Sequence, residues 1–390
     1  MPRFEDDVII SGIGQSDVGR RLDRSPMSLT LDAISAAAAD AGLALDDLDA
    51  IATYPGGGTS LGPGFAGPSL ADVYDALGIA PQLIMGGFEG PAQLGPILHG
   101  SLAISAGLAR HVVVYRTVTE GSARSAARVA APGQSGSELG QWIAAFGGGP
   151  APIGFAMLAR RHFFEYGTTR EQLAQIALTA RRHAALYPQA ILRDPLSLSD
   201  YLSARMIADP LCLHDCDIHC DGSTAVVLSH VDYAPDSASP PVHLEALGVA
   251  PAARADYVHH DELHPGQRAA DQMWRRTTVR PSDVDVAGLY DGFSILALLW
   301  LEALGFCGPG EGGPFVEGGS RISLGGQLPI NTNGGQLSGG RLHGLGFVHE
   351  MCLQLRGAAG DRQVHSAGIA AVSVGALPYV GCMLLRGPEA

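Results

Sequence analysis

Short apolar runs alternate with amphipathic segments along most of the chain. Residues 8–10, 48–54 and 244–249 are apolar runs that precede glycine or proline, a pattern typical of buried strands. The alanine-rich segment 29–41 predicts a helix, and so does 345–355, where apolar residues recur every three or four positions. Strands that alternate with helices predict an α/β protein.

The pattern also repeats, which indicates an internal duplication. Residues 47–54 match residues 283–290, and at the same offset Gly12 matches Gly248. Two copies of one α/β unit predict two stacked sheets with helices between them and outside them. Chance matching between segments rich in glycine and alanine is the alternative.

The repeat also predicts the domain boundaries. Residues 1–117 together with 211–238 form the first half, and residues 239–390 form the second half. Residues 118–210 have no counterpart in the second copy, so we expect them to be an inserted loop domain.

Composition and charge restrict the chemistry. The chain has 390 residues, of which 46% are hydrophobic, and a formal net charge of −14. This charge argues against nucleic acid or an anionic membrane surface as the main partner. All 25 basic residues are arginine. A lysine Schiff base, a pyridoxal phosphate aldimine and a P-loop lysine are therefore excluded.

The cysteines and the N-terminal sequence favour a reduced, cytoplasmic environment. The first residues are acidic and continue directly into a strand-like run, without the pattern of a signal peptide, and no apolar run reaches membrane-spanning length. Cys212, Cys216 and Cys220 lie close to His214 and His219, but their spacing lacks the paired CxxC of a zinc site. We therefore expect no metal, and zinc remains the alternative.

The glycine-rich segment 325–344 directly precedes the predicted helix 345–355. Glycine at this density indicates that the backbone adopts unusual conformations or passes close to a ligand. A helix N-terminus supplies free N–H groups and a positive dipole end, which suit an anion or oxyanion. The candidate binding residues are Gly334, Gly335 and Gly340 of this loop, together with Asn331.

The same segment resembles the glycine loop near the C-terminus of thiolases. The residues that match that loop are Pro329, Asn331, Gly334, Gly335, Ser338, Gly340 and Gly344. The resemblance implies a five-layer αβαβα fold, a coenzyme A thioester as substrate and no covalently bound cofactor. The catalytic histidine of thiolases, however, falls on Arg341.

The other catalytic positions of thiolases are also changed. The position of the nucleophilic cysteine falls on Gly90, which we retain as a candidate for substrate binding. The turn that carries the second cysteine in thiolases falls on residues 374–378, which contain no thiol. Thiolysis or Claisen condensation through an acyl-enzyme is therefore not expected.

Residues 289–294 and the following helix, which ends in LEALGFC at Cys307, resemble the sterol-carrier branch of thiolases. The YD-x-F sequence resembles the lipid-transfer-protein aldolases of steroid side-chain breakdown, which lack the nucleophilic cysteine. The resemblance implies that Tyr290 is catalytic, with Asp291 beside it, and that a second catalytic tyrosine is replaced by Arg341. His343 is the alternative acid or base. We expect the neighbouring arginine to lower the pKa of Tyr290.

The resemblance therefore implies a retro-aldolase that acts on a β-hydroxyacyl-CoA, in steroid side-chain degradation. An acyltransferase with an atypical site and a non-catalytic acyl-CoA-binding subunit are the alternatives. Structural roles remain open for Tyr290, Arg341 and His343. As partners, the resemblance implies a second copy of the chain, and an OB-fold protein of the DUF35 type within a hetero-oligomer.

Overall fold

The structure, a computed structural model, describes residues 3–56, 62–87, 92–126, 145, 151–251, 266–376 and 379–389. Its strands are β1 (Val8–Gln15), β2 (Ala50–Thr53), β3 (Leu83–Gly86), β4 (His111–Thr119), β5 (Met206–Ala208), β6 (Leu211–Cys212), β7 (Asp221–His230), β8 (Val242–Pro251), β9 (Val286–Gly288), β10 (Ile369–Ala376) and β11 (Tyr379–Arg386). Its α-helices are α1 (Pro26–Ala41), α2 (Leu70–Leu77), α3 (Gly95–Ser105), α4 (Glu120–Ala126), α5 (Ala151–Tyr166), α6 (Arg170–Ala184), α7 (Leu198–Ser203), α8 (Gly266–Trp274), α9 (Ser294–Ala303), α10 (Gly312–Val316) and α11 (Gly344–Leu355).

The main sheet has the strand order β3-β2-β4-β7-β1-β8-β11-β10-β9. Strands β1 and β8 meet at its centre, where Ile9 pairs with His243 and Ile10 with Val242. On either side of this junction the next strand is antiparallel, and a parallel pair lies further out, β2 with β4 on one side and β9 with β10 on the other. This mirrored order confirms the duplicated α/β architecture. The strand order also shows that the two half-sheets are joined through their edge strands, β1 and β8.

Both faces of the first half-sheet are buried, because successive strand residues point into different hydrophobic clusters. Val112 and Val114 of β4 belong to the large cluster shared by both halves, whereas Val113 and Tyr115 pack in a smaller cluster with α1. Close packing of α1 depends on Gly12 of β1, where a Cβ atom would lie 2.1 Å from the carbonyl oxygen of Ala37. The alanine-rich sequence of this helix follows from the same close approach.

Helix α11 lies between the two halves and contacts β9 and β10 on one side and β1 and β7 on the other. Helix α1 covers the outside of the first half, and α8 covers the outside of the second. The helices therefore form a middle layer and outer layers, as predicted. The N-terminus of α11 follows the glycine-rich loop, which places that loop at the junction of the two halves.

Between β4 and β7 the chain leaves the main sheet and forms α4 to α7 and the β5–β6 pair. Helix α6 contacts both the glycine-rich loop and α9. The predicted boundary of an inserted domain at residues 118–210 stays a prediction. Among the described residues no helix combines the length and the apolar character that a bilayer crossing requires.

Candidate active site

Tyr290 lies just after β9 and is almost fully buried, with 8% of its surface exposed. Its backbone N–H donates to Ser373 Oγ on the neighbouring strand β10 at 3.1 Å. Its phenol oxygen accepts a hydrogen bond from Gln93 Nε2 at 3.3 Å. The same Gln93 side chain accepts a hydrogen bond from the N–H of Gly344 through Oε1. Gln93 therefore connects the phenol to the first residue of α11.

Burial raises the pKa of Tyr290, and the attraction of Arg341 for the phenolate opposes this shift only in part. The sequence-based expectation of a lowered pKa was wrong, because desolvation outweighs the arginine at this buried position. The phenol is therefore protonated at neutral pH. It can donate a hydrogen bond or a proton to a ligand.

Arg341 is held between two carboxylates. Its Nε lies 3.2 Å from Asp217 Oδ2 and 3.6 Å from Glu120 Oε2. Its Nη1 lies 3.1 Å from His219 Nε2. Burial acts to lower the pKa of Arg341, but the two carboxylates outweigh burial and raise it. Arg341 is therefore a fixed positive charge that cannot transfer a proton.

His343 lies between two guanidinium groups. Its Nδ1 is 2.7 Å from Arg116 Nη2, and its Nε2 is 2.8 Å from Arg341 Nε. Burial lowers its pKa far below the ordinary value, and the two arginines lower it further, so the imidazole is neutral. A neutral imidazole has one acceptor nitrogen, so only one of these two contacts is a hydrogen bond. The other guanidinium N–H is available to a different acceptor.

The backbone at His343 is also unusual, with φ of 61° at the residue before α11. Non-glycine residues in this region are uncommon, and they often occur at functional sites. Phe65 packs beside the histidine, with 5.1 Å between the ring centres. The guanidinium carbon of Arg116 lies 4.7 Å from the centre of the same phenylalanine ring, and that of Arg341 lies 5.8 Å from it. The aromatic face thus contacts both cations.

Arg116 of β4 is fully buried, which lowers its pKa to about 10. Besides His343, it donates to the backbone carbonyl of Tyr54 at 3.1 Å. Burial of a guanidinium is costly unless its donors are satisfied. Arg116 Nε and Nη2 lie 3.1 and 2.7 Å from His343 Nδ1, so Arg116 restricts the orientation of that imidazole.

Asp291 is completely buried beside the glycine-rich loop. Its Oδ1 accepts a hydrogen bond from the N–H of Gln336 at 2.8 Å. Burial raises the pKa of Asp291 to about 7, although the hydrogen bond from Gln336 opposes the shift. A Cβ atom on Gly335 would lie 2.1 Å from Asp291 Oδ2, and Gly335 has φ of 56°. The loop thus requires glycine at this position in order to pass the carboxyl group.

The predicted oxyanion donors of the loop make hydrogen bonds within the protein. The N–H groups of Gly334, Gly335 and Gly340 donate to oxygen atoms of the loop itself, at 2.8, 3.0 and 3.2 Å. The carboxamide of Asn331 accepts from the N–H of Leu289 at 2.7 Å and donates to its carbonyl at 2.9 Å. These contacts give the four residues a structural role. Their role in substrate binding stays a prediction that the contacts do not support.

Gly90, at the position of the thiolase nucleophile, lies outside the described residues. So do the last two residues of the turn 374–378. Cys220 is a thiol beside the glycine-rich loop, with its Sγ 3.1 Å from the position of a Cβ atom on Gly340. Burial raises the pKa of Cys220, so its thiol stays protonated and is a poor nucleophile.

The segment 212–221 has the appearance of a metal site in the sequence. In the structure its polar side chains make two other sets of contacts. Asp215 is buried and accepts hydrogen bonds from Tyr201 Oη at 2.6 Å and from the N–H of Cys212 at 2.7 Å. Asp217 and His219 instead extend to Arg341. Within the described part of the chain no group of His, Cys, Asp and Glu is arranged to hold a metal ion.

Sequence reasoning identified Tyr290, Asp291, Arg341 and His343. The structure places His343 2.8 Å from Arg341, and Arg341 close enough to Tyr290 to attract its phenolate, whereas the side chain of Asp291 contacts Gln336 of the glycine-rich loop. Sequence reasoning missed the site residues Phe65, Gln93, Arg116, Glu120, Asp217, His219 and Gln336. Asp217 and His219 could have been found from the charge density around the cysteines. Gln336 lies inside the glycine-rich segment 325–344, next to Gly335, and could have been found there. Phe65, Gln93, Arg116 and Glu120 are distant in sequence and carry no local signal.

Gln336 is a further polar residue of the site. It is 2% exposed, and neither atom of its carboxamide makes a hydrogen bond of good geometry within the described residues. It nevertheless lies near enough to Tyr290 to favour the ionised phenol. Gln336 and His343 line the same narrow cavity, together with Phe347. A buried carboxamide without a partner beside such a cavity is suited to a ligand oxygen.

The fold is that of thiolases. The structure of human mitochondrial 3-ketoacyl-CoA thiolase matches with a TM-score of 0.67 and 15% identity, over 99% of this chain and 100% of that chain. Residues 249–378 match the family model described as Thiolase C-terminal domain-like. The class of protein is therefore thiolase-like.

More similar relatives define the branch. The "Steroid side-chain-cleaving aldolase" of Thermomonospora curvata is 30% identical over 400 residues, covering 96% of this chain and 97% of that protein. The "17-hydroxy-3-oxo-4-pregnene-20-carboxyl-CoA lyase" of Mycobacterium tuberculosis is 32% identical, covering 90% and 92%. The solved "Ltp2-ChsH2(DUF35) aldolase" matches with a TM-score of 0.89 and 29% identity, over 99% of both chains. The chain belongs to the thiolase superfamily, in the branch of the steroid side-chain-cleaving aldolases. The predicted resemblance is confirmed.

Proposed function

We propose that this protein is a carbon–carbon lyase that cleaves a β-hydroxyacyl-CoA of a steroid side chain by retro-aldol chemistry. Two relatives, which it matches over at least nine-tenths of its length, are named as an aldolase and a lyase. The observation that carries the proposal is Tyr290, a buried and protonated phenol held by Gln93 in a site whose thiolase nucleophile position is a glycine.

The reaction needs two proton transfers and no redox partner. A base takes the proton of the β-hydroxyl group, and the electron pair of that O–H bond forms the ketone carbonyl. The Cα–Cβ bond breaks, and its electron pair becomes the enolate of the shortened acyl-CoA. A proton added at Cα completes the product. The site must therefore supply a base, an acid and donors for the enolate oxygen.

Tyr290 is the acid in this mechanism. Its pKa is raised, so the phenol retains the proton until the basic enolate carbon forms. Arg341 then stabilises the resulting phenolate by its positive charge. The carboxamide of Gln336, which lines the cavity, donates to the thioester oxygen as negative charge develops there.

Two residues are candidates for the base. Asp291, with a pKa of about 7, is half ionised near neutral pH. His343 lines the cavity but is held neutral by two arginines, which make it a weak base. The pH dependence of kcat/KM distinguishes the two candidate bases. With Asp291 as the base, kcat/KM rises with pH to a plateau above about pH 7, and this limb is absent in Asp291→Asn.

The alternative acyltransferase would need a thiolate. Burial raises the pKa of Cys216 to about 12 and that of Cys212 to about 11, so these thiols are protonated at neutral pH. Cys220, beside the loop, is shifted in the same direction. An acyl-enzyme on these cysteines is therefore disfavoured.

The decisive experiment uses a β-hydroxyacyl-CoA with a tertiary alcohol, incubated with the protein and analysed by mass spectrometry. We expect a ketone and a shortened acyl-CoA. In Tyr290→Phe the rate should fall by about 10²–10⁴-fold, as is usual for the loss of a general acid. Tyr115→Phe is the matched control, because its buried phenol bonds Pro68 on the α1 side of the sheet. A protein adduct heavier by one acyl group, or full activity in Tyr290→Phe, would refute the proposal.

We also propose a DUF35 protein as partner. The name of the solved relative, "Ltp2-ChsH2(DUF35) aldolase", includes a DUF35 protein. Helix α5 exposes Phe164 at 91% and Met157 on the same helical face, and Met206 of the adjacent β5 is exposed as well. Such a patch is typical of a protein contact. Phe164→Asp should abolish co-elution with the partner, and retained co-elution would locate the contact elsewhere.

A homodimer is the second proposed assembly. Strand β3 is the outermost strand at its end of the described sheet, and its Ile84 is half exposed. An edge strand of this kind can pair with the same strand of a second copy. Light scattering should give twice the mass of the chain, and Ile84→Glu should shift it towards the monomer. A monomer in the unaltered protein would contradict this assembly.

A further inference from the structure

Gln93 is a buried carboxamide that is hydrogen-bonded at both ends. It lies in the short turn Ala92–Leu94 and is 6% exposed. Its Oε1 accepts a hydrogen bond from the backbone N–H of Gly344, and its Nε2 donates to the phenol oxygen of Tyr290 at 3.3 Å. Gln93 therefore holds the N-terminus of α11 and the phenol at the same time.

The contact with Gly344 determines which way the carboxamide points. The oxygen and the nitrogen of a carboxamide have similar shapes, but a backbone N–H can only donate, so the atom beside it must be the oxygen. The nitrogen then faces Tyr290 and donates to the phenol oxygen. Because Gln93 offers no acceptor on this side, the phenol hydrogen points away from it and is available to a ligand.

The N-terminus of α11 also strengthens this donor. The first N–H groups of a helix have no partner within the helix, and the side chain of His343, the residue before α11, does not cap them. Gln93 caps Gly344 instead. A Cβ atom on Gly344 would lie 3.0 Å from Gln93 Oε1 and 2.5 Å from Val374 Cγ1, so glycine permits the close approach. The positive end of the helix dipole polarises the carboxamide, which makes its Nε2 a stronger donor.

Gln93 and Gln336 both act on the phenol, but they differ in freedom. Hydrogen bonding from either carboxamide favours the ionised form of Tyr290. Neither atom of the Gln336 carboxamide makes a hydrogen bond of good geometry within the described residues, and Gln336 lines the narrow cavity, so it can turn to a ligand. Gln93 is held at both ends. It is therefore the fixed donor for Tyr290, whereas Gln336 is available to the substrate.

We propose that Gln93 is a positioning residue for Tyr290, which keeps the phenol hydrogen free for the substrate and stabilises the phenolate that remains after proton transfer. The proposal rests on the proposed lyase function. When the proton moves to Cα of the enolate, the electron pair of the O–H bond stays on the phenol oxygen. That oxygen then accepts a charge-assisted hydrogen bond from Gln93. The bond is stronger with the phenolate than with the phenol, so it lowers the barrier to reaction.

Other charges also act on the phenol, and they stay in place when Gln93 is changed. Arg341 and Arg116 attract the phenolate. Asp217 repels it, and so does Tyr54 when that residue is ionised. A change of Gln93 alone therefore isolates its own effect on the phenol.

Two variants separate the role of Gln93 at α11 from its role at the phenol. Gln93→Glu retains an oxygen for the N–H of Gly344 but loses the donor, whereas Gln93→Met loses both contacts without adding a charge. Tyr290 is replaced by a fluorinated tyrosine, whose phenol ionises at lower pH, and fluorine NMR follows its ionisation. The midpoint should rise by about one pH unit or more in Gln93→Met, as is usual for a lost hydrogen bond to a charged group. In Gln93→Glu it should rise further, because the new carboxylate repels the phenolate.

Turnover of a β-hydroxyacyl-CoA, measured with the DUF35 partner present, is the second readout. In both variants kcat should fall at least about tenfold with KM within about twofold, because the bond strengthens only as the phenolate forms. Gln363→Glu is the matched control. Its half-buried carboxamide also accepts from an N–H, that of Ala359, and donates to the carbonyls of Gln354 and Val364. It should leave the midpoint unchanged and kcat within about twofold.

The two readouts distinguish the failure of this role from the failure of the proposed reaction. An unchanged midpoint in Gln93→Met, or a raised midpoint with unchanged kcat, overturns the role of Gln93. A raised midpoint in a protein that cleaves no β-hydroxyacyl-CoA supports the contact with Tyr290 and refutes the lyase function instead. If Gln93→Met does not fold, Gln93→Glu gives the same comparison, because it retains the acceptor for Gly344.

Discussion

Asp291→Asn should change the pH dependence of stability in a direction that the burial of Asp291 determines. The carboxyl group is fully buried, and its pKa is raised to about 7 from the ordinary value of 3.8. The folded protein therefore favours the neutral acid. Asparagine has nearly the same shape, and its oxygen can still accept the hydrogen bond from the N–H of Gln336.

The sign follows from proton binding. Between about pH 4 and pH 7 the folded state retains a proton at Asp291 that the unfolded state has released. The free energy of unfolding therefore falls as the pH rises through this range. A shift of about three pKa units corresponds to about 4 kcal/mol, lost by pH 8. In Asp291→Asn this loss does not occur.

The assay is urea unfolding of both proteins at pH 4, 6 and 8. All other titrating groups are shared, so the difference between the two unfolding free energies isolates Asp291. We expect the free energy of unfolding of Asp291→Asn, relative to that of the unaltered protein, to increase by about 4 kcal/mol between pH 4 and pH 8. Asp75→Asn, an exposed carboxyl on α2, controls for the removal of an acidic side chain. If the free energies of unfolding of the unaltered protein and Asp291→Asn changed with pH in parallel, the raised pKa of Asp291 would be refuted.

Two further predictions concern the packing around the site. Arg362→Met should lower the free energy of unfolding by about 3–5 kcal/mol in urea, because it leaves Glu350 buried without its ion pair, whose closest contact is 2.8 Å. An unchanged midpoint would contradict this. Gly335→Ala should lower the free energy of unfolding by about 1–3 kcal/mol more than Gly357→Ala does. Both glycines have positive φ, but only at Gly335 would the new methyl group meet Asp291, whereas Gly357 has open space. Equal melting temperatures would contradict the steric argument.

The fold was predictable because its signals are local and repeated. The predicted helix 345–355 differs from α11 by one residue, and the predicted strand 244–249 lies inside β8. The duplication then determined the architecture. The junction of β1 with β8 was not predictable, since it involves only two residue pairs far apart in sequence.

The site was predictable only where its residues belong to two short motifs. Tyr290 and Asp291 lie in one motif, and Arg341 and His343 lie in the other. Arg116 contacts His343 across 227 positions of the chain, and no local pattern marks such a residue. The direction of the pKa shift of Tyr290 was wrong for a related reason. The sequence shows the neighbouring arginine, whereas the larger effect is burial, which depends on the whole fold.

The charges around Arg341 restrict how the proposed reaction can proceed. The resemblance implies a catalytic tyrosine at this position, and a tyrosine can both donate and accept a proton. Arg341 can do neither, because Asp217 and Glu120 hold its charge. One of the two proton transfers must therefore pass to another group. Asp291 is suited to it, because its pKa of about 7 lets it take up and release a proton at neutral pH. In this protein, Arg341 stands in place of the second catalytic tyrosine. The replacement therefore predicts that activity depends more strongly on Asp291, which follows Tyr290.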